Sequence, residues 1–285
     1  MPGQGRTFRR QIADFWQIWP MPPKIETPRD VVFVDGIYLA KKACILICFD
    51  GEHVLGWYLC RSEQSRSWQA LMQRIATPVV VVSAGGPGLR KALKKVWRTA
   101  KLQRCIVHAV WQVHCYTTRR PKTLAGIMLR DLANDLYAVK TQEEAQIWIQ
   151  RLFNWRVTFK EFLSEMTRDS SDNLRATHER LLKAYNSLVV LINTETIFRY
   201  LDETLVLDKE CPRTNNPIEG GVNAQLRRLL RYHRGMSVEK RIKAVFWWCY
   251  LHSPRPLSAK EIFKVMPTDA SIFKIYSSMN ERAQL

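Results

Sequence analysis

Apolar and polar positions follow two regimes along the chain. Up to about residue 110 the apolar residues come in short unbroken runs: Val31–Leu39 (VVFVDGIYL), then KKACILICFDG, EHVLGWYLCRS, VVVVSAGG and LQRCIVH. Runs of this length, bounded by glycine or polar residues, predict buried strands. Asp50-Gly51, between the second run and the third, is a hairpin turn signal. Gln64–Ile75 repeats at helical spacing instead, with Trp68, Leu71, Met72 and Ile75 on one face. Leu89–Trp97 predicts a second helix, short and basic. The predicted order is strand, strand, strand, helix, strand, helix, strand.

Beyond Trp111 the strand signal stops. LRDLANDLYAV, EEAQIWIQRLFNWRVTFKEFLSEM and THERLLKAYNSLVVLINTETIFRYL carry helical spacing to about Leu207, with a break at Asp169–Asn173. Trp148, Phe153, Trp155, Phe159 and Phe162 are expected to form the core of this block. CPRTNNPIEGG then opens a new helix, with Asn216 as its predicted N-cap and Pro217 at its first position. VNAQLRRLLRYHRG continues it, VEKRIKAVFWWCYLH forms another, and a short helix falls near Ala259–Val265. The expected organisation is an arm (1–30), an α/β core in two parts (31–111 and 209–253), a helical insertion (112–208), and a tail that docks or frays (254–285). Three antiparallel strands followed by two parallel ones is the order of an RNase H-like core, here interrupted by an all-α insertion.

Charge narrows the class of partner. The chain has 285 residues and a formal net charge of +18, from 44 Lys and Arg against 26 Asp and Glu. Such an excess suits a polyanion, nucleic acid first and an anionic membrane surface second. No apolar run approaches the roughly 20 residues of a membrane span. The opening MPGQGRTFRRQ lacks the apolar centre of a signal peptide. Seven scattered cysteines, an odd number, fit a reducing cytoplasm better than a disulfide framework. In the arm, Trp16 and Trp19 suit packing on the core, while Arg6, Arg9 and Arg10 suit contact with DNA.

An acid in a buried strand is costly unless it is paired or holds a cation. Asp35 therefore caps or pairs within the fold, or it binds a metal. Glu219 lies in the first turn of its helix, where the helix dipole alone favours an acid. Asn223 and Arg227, four and eight residues on, make that face polar and basic. Two-ion phosphoryl transfer needs carboxylates from at least two elements around ions roughly 3.5–4 Å apart. Where a fourth-strand acid is wanted, the chain has Ala84. Asp50 is no substitute: with the first hairpin expected to turn around Ala40 and Lys41, Asp35 lies opposite roughly residue 46, and Asp50 sits about four residues further along, or about 13 Å at about 3.3 Å per residue. Glu63, beyond the third strand, is a further acid for an outer-sphere role. Cys105 and His108 form a C-x-x-H pair, but zinc needs more ligands. The near ones, His114 and Cys115, have the wrong spacing, so a buried thiol and a hydrogen-bonded imidazole are expected there. Arg90, Lys91, Lys94, Lys95, Arg98 and Lys101, and Arg227, Arg228, Arg231 and Arg234, are two basic runs expected to flank the site and bind phosphates.

VVFVDGIYL, VVSAGGPGLRKALKKVW, LQRCIVH and RTNNPIEGGVNAQLRRLLRYHRGMSVEKRIKAVFWWCYLH together resemble bacterial insertion-sequence transposases of the Mutator-like DDE superfamily. The resemblance covers about residues 30–252, and its last block is the most specific. It implies metal-dependent strand cleavage at transposon ends and strand transfer into target DNA. Mg²⁺ or Mn²⁺ is the implied cofactor. Double-stranded DNA, a homodimer and a cytoplasmic, nucleoid-associated setting are implied with it. By the same resemblance Asp35 is the first acid and Glu219 the third, both metal ligands. The second belongs to a motif Asp-Gly-Gly-x-Gly whose first position is Ala84. The rest of that motif is kept, which fits a deliberate Asp→Ala replacement better than a decayed copy, and this form is expected to be catalytically dead. The superfamily's C-x-x-H motif gives His108 a place near the scissile phosphate or an unpaired base, with Cys105 in support. No CxxC pair or clear helix-turn-helix precedes Asp35, so the element that reads the DNA ends is not assigned. Two other readings are a non-catalytic, transposase-derived DNA-binding protein, which Ala84 favours, and an RNase H-like nuclease without strand transfer.

Overall fold

Residues 4–39 and 42–274 are described by the structure, a computed structural model. The first helix, α1 (Gln4–Gln11), precedes five strands: β1 (Val31–Leu39), β2 (Ala43–Phe49), β3 (Val54–Cys60), β4 (Val80–Ser83) and β5 (Lys101–Arg104). They form one sheet in the order β3-β2-β1-β4-β5. β1, β2 and β3 pair antiparallel, while β1–β4 and β4–β5 pair parallel. The mixed order expected from the apolar runs is therefore present. The turn joining β1 to β2, expected around Ala40 and Lys41, lies outside the described residues. Asp35 pairs with Ile47, one residue from the expected position 46. Asp50 follows β2 near the start of β1, where it accepts from Arg29 Nε at 3.0 Å and from the amides of Glu52 and His53.

Alternation along the strands buries both faces. Val32, Val34, Cys44, Leu46 and Val81 pack on α2 (Ser65–Met72) and α3 (Pro87–Lys95) through Trp68, Leu71, Leu89 and Leu93. Phe33, Ile37, Ile45, Ile47, Val80 and Val82 pack on the late helices through Ile218, Val222, Leu226, Val245 and Phe246. Asp35 shares the second face by the period of two.

The fifth run departs from expectation. LQRCIVH is a strand only to Arg104, and Cys105 is the N-cap of α4 (Ile106–Thr117). His108 is therefore helical. The block that follows has α5 (Leu124–Asp135), α6 (Gln142–Thr158), α7 (Lys160–Ser164) and α8 (Glu179–Asn193). It is not wholly helical: β6 (Met166–Arg168) and β7 (Leu174–Ala176) form a hairpin over the expected helix break. Asp169 closes its turn by accepting from the amides of Ser171 and Asn173. Trp148 and Trp155 are buried, their indole N–H groups donating to Leu132 O and Ala125 O. Phe159 and Phe162 pack beside them, but Phe153 is exposed.

The chain returns to the sheet through a π-helical segment, Pro217–Asn223, that runs into α9 (Ala224–Tyr232). Asn216 is not a side-chain cap: its backbone is already helical (φ −57°, ψ −35°). α10 (Val238–Leu251) and α11 (Ala259–Val265) follow. Lys243, buried in α10, donates to both carboxylate oxygens of Asp269 at 2.7 Å and to Trp16 O at 2.8 Å. Trp19 Nε1 also donates to Asp269. The arm and the residues up to 274 thus dock on one another. Arg9 and Arg10 are exposed, and the side chain of Arg6 lies outside the described ones.

Candidate active site

Asp35 sits where β1 has a late helix on one side and β4 on the other. Asn223, the last residue of the π-helical segment, donates Nδ2 to Asp35 Oδ2 at 2.6 Å. Glu219 lies one turn earlier, close enough for its charge to raise the Asp35 pKa. Burial is the larger cause, and it pushes Asp35 up to about 6 against the pull of Arg227 and Asn223. Glu219 is also raised, by burial first, although Arg227 and Arg104 oppose it. π-helical turns often occur at functional sites. Here the turn puts Glu219 and Asn223 on the face that meets β1.

The parallel register pairs Val34 with Ser83, so the next residue, Ala84, is level with Asp35. Its methyl group offers no donor to a cation. The turn after it needs glycine: Gly85 has φ +89°, and a Cβ there would lie 1.9 Å from Arg104 Nη1. Glu63 enters from beyond β3. A Cβ on Gly36 would lie 2.7 Å from Glu63 Oε1, so the glycine after Asp35 leaves room for this third acid. Burial and the charge of Asp35 raise the Glu63 pKa.

His108 reaches Glu219 from the first turn of α4, its Nδ1 3.5 Å from Glu219 Oε1. That distance pairs charges only if the imidazole is protonated. Burial and Arg104 hold His108 below the usual histidine range, so at neutral pH it is an uncharged neighbour. Cys105 Sγ accepts from the Asn215 amide at 3.2 Å. Among the described residues, nine buried side-chain polar atoms lack a hydrogen-bond partner. Five of them belong here: Arg104 Nη1, His108 Nδ1, Asn215 Oδ1, Glu219 Oε1 and Asn223 Oδ1. Native interiors seldom leave such atoms unpaired without a reason, an ion among them. Three are oxygens, the donor type hard divalent cations take.

Of the basic residues expected to flank the site, Arg227 and Arg231 line a cleft beside Gly36 and Tyr38, together with Arg234 and Arg241. Arg228 is exposed on α9 but does not line that cleft. Arg90 and Lys94 line a separate groove with Trp97 and Arg98, while Lys95 is exposed nearby. Arg241 escaped the sequence reading because it belongs to neither basic run. Arg104 escaped it too, as a single arginine ending a strand. Asn223 was read as polar neighbour to Glu219 but not as a partner of Asp35.

Residues 31–156 match the family model described as "Transposase, Mutator family". That stretch is similar to the Mutator family of transposases. It holds Asp35, Ala84, Cys105 and His108, and ends well before Glu219. The chain is also 22% identical over 184 residues to the transposase for insertion sequence element IS905 of Lactococcus lactis subsp. lactis (strain IL1403). The matched stretch covers 58% of this chain and 45% of that relative, so the chain spans about half the length of the relative it matches. Among the described residues, no helix is long and apolar enough to cross a membrane.

Proposed function

We propose that the chain is the catalytic core of a DDE-type DNA transposase, built on an RNase H-like sheet and disabled at one position. Asp35 and Glu219 are its first and third acids, Ala84 stands at the second, and residues 112–208 are the insertion between core segments 31–111 and 209–253. The observation that carries this reading is the placing of Asp35 and Glu219 near enough for their charges to act on each other, beside a cluster of unpartnered buried oxygens, within a chain similar to transposases over its first half.

Asp35 and Glu219, with the Asn223 carbonyl oxygen, suit Mg²⁺ or Mn²⁺. When bound, such ions polarise the phosphoryl group and sharpen the attacking oxygen. The protein's own groups do the rest. Arg227, Arg231, Arg234 and Arg241 hold the phosphate backbone across the cleft, and Arg90, Lys94 and Lys95 extend the basic surface. Asn223 fixes the Asp35 carboxylate. Neutral His108 offers a hydrogen-bond partner at the edge of the site, near the scissile phosphate or an unpaired base. Strand cleavage at the element's ends would be followed by attack of the freed 3′-hydroxyl on target DNA. A homodimer on double-stranded DNA, in a cytoplasmic, nucleoid-associated setting, fits this role.

The test is Ala84→Asp, assayed in Mg²⁺ on DNA carrying the element's own ends. Metal charge stabilisation is worth several kcal/mol, so recovered cleavage should exceed the parent by a factor on the order of a thousand. An inert revertant, together with an Asp35→Ala variant that changes nothing, would replace this reading by a non-catalytic DNA-binding protein. That alternative has one observation in its favour, the methyl group at position 84.

A further inference from the structure

We propose that Cys105, His108 and Glu219 form a site for a single Zn²⁺, which shares Glu219 with the hard-cation position beside Asp35 and draws its other protein ligands from α4. The inference goes beyond the transposase reading and does not depend on it. One ligand atom from each residue lies within 4.8 Å of the others, the one such group of three His, Cys, Asp or Glu side chains among the described residues. Around tetrahedral zinc, ligand atoms about 2.0–2.3 Å from the ion lie roughly 3.3–3.8 Å apart. His108 Nδ1 and Glu219 Oε1 already stand 3.5 Å apart.

Neither of those atoms has a hydrogen-bond partner, and both are buried. A neutral imidazole nitrogen bearing a lone pair and a carboxylate oxygen repel unless a proton or a cation lies between them. Cys105 supplies the third donor from the N-cap of α4. Its sulfur already accepts from the Asn215 amide, and the amides of Val107 and His108 also point at it. Helix N-terminal amides of this kind stabilise a thiolate once a metal has displaced its proton.

The donor set selects the ion. Sulfur and imidazole nitrogen suit zinc, while Mg²⁺ takes oxygens and keeps its waters. Two anionic ligands neutralise the dication, which matters because Arg104 is close enough to act on both Cys105 and Glu219. Three protein ligands leave a fourth position for water or a phosphate oxygen, as in open zinc sites. The C-x-x-H spacing alone could not reveal the site, because its third ligand comes from a helix far along the chain.

The probe is Co²⁺, titrated into the metal-free 285-residue chain without DNA and followed by absorbance. The expected result is one equivalent bound, with a thiolate-to-cobalt charge-transfer band, displaced by equimolar Zn²⁺ and not by excess Mg²⁺. Cys105→Ser should abolish the band, and His108→Ala should weaken binding by about tenfold or more. Cys115→Ser, exposed on the same helix, should change neither. No band in the parent protein, or a band that survives Cys105→Ser, overturns the site. If Cys105→Ser fails to fold, Glu219→Gln decides: the band persists with about tenfold or more weaker binding if Glu219 is a ligand, and unchanged affinity overturns the assignment. Cleavage by Ala84→Asp in Mg²⁺ is a separate outcome, so failure of either idea leaves the other standing.

Discussion

Asp35 has a carboxyl pKa of about 6 because it is buried and faces Glu219. The sign of the consequence is fixed: the folded chain holds this proton more tightly than the unfolded chain does. Stability of the metal-free protein should therefore fall as pH rises from about 4 to about 6, by up to ~3 kcal/mol at 1.36 kcal/mol per unit. Thermal unfolding of the parent and of Asp35→Asn at pH 4.5 and 7 isolates the effect, because the variant should lose this pH dependence and gain stability at pH 7. Divalent ions compete with the same proton, so Mg²⁺ affinity should weaken below pH 6. Glu219 makes a second residue-scale case. Glu219→Gln placed in the Ala84→Asp background should abolish cleavage and leave DNA binding largely intact, as gel-shift and strand-nicking assays would read. Cleavage at an undiminished rate would reduce Glu219 to an acid favoured by a helix end.

Among elements, α10 ties both ends of the described chain to the sheet. Lys243 is buried and answers to Asp269, Glu239 and the Trp16 carbonyl. Asp269→Ala leaves a buried ammonium with only an exposed acid and a carbonyl, and should cost on the order of 3 kcal/mol. Denaturant unfolding measures it, and a loss below 1 kcal/mol would show that the docking of the arm and the C-terminal segment rests on apolar contacts instead. Much of this layer was legible in sequence. Unbroken apolar runs marked β1 to β4, and helical spacing marked α2, α3, α9, α10 and α11. β5 was overextended because Ile106 and Val107 look the same entering a buried helix as leaving a strand. The β6–β7 hairpin was missed because its strands are three residues each and exposed, without a periodic face. The π-helical turn has no sequence signature, and Asn216 could not be seen to lie inside the helix it was expected to cap. The acids at 35 and 219 were legible as types. Their approach, with Asn223 bonded to Asp35, was not, since it depends on how the late helix lies across β1.

For the whole molecule, an excess of +18 should make DNA binding strongly salt-dependent. Each neutralised phosphate contributes about −0.9 to the slope of log K against log salt. Arg231→Ala, in the cleft beside Gly36, should reduce that slope by about 1 with little sequence preference. The same change at Arg228, which is exposed but does not line the cleft, should reduce it less. Equal effects would move the DNA path off the cleft.

α4 belongs to two places at once. Its first turn carries His108 at the site, and Ala109, Val110 and Val113 are embedded in the helical block. Twelve residues make a rod about 18 Å long. A rod pinned at one end and gripped at the other is a lever. A 5° tilt of the block about its distal end would carry the Cys105 end of α4 roughly 1.5 Å across Glu219, more than a hydrogen bond tolerates. Whatever holds the helical block still therefore also sets the spacing at the chemical centre, and cargo seated on those helices would be felt there before it touched an acid.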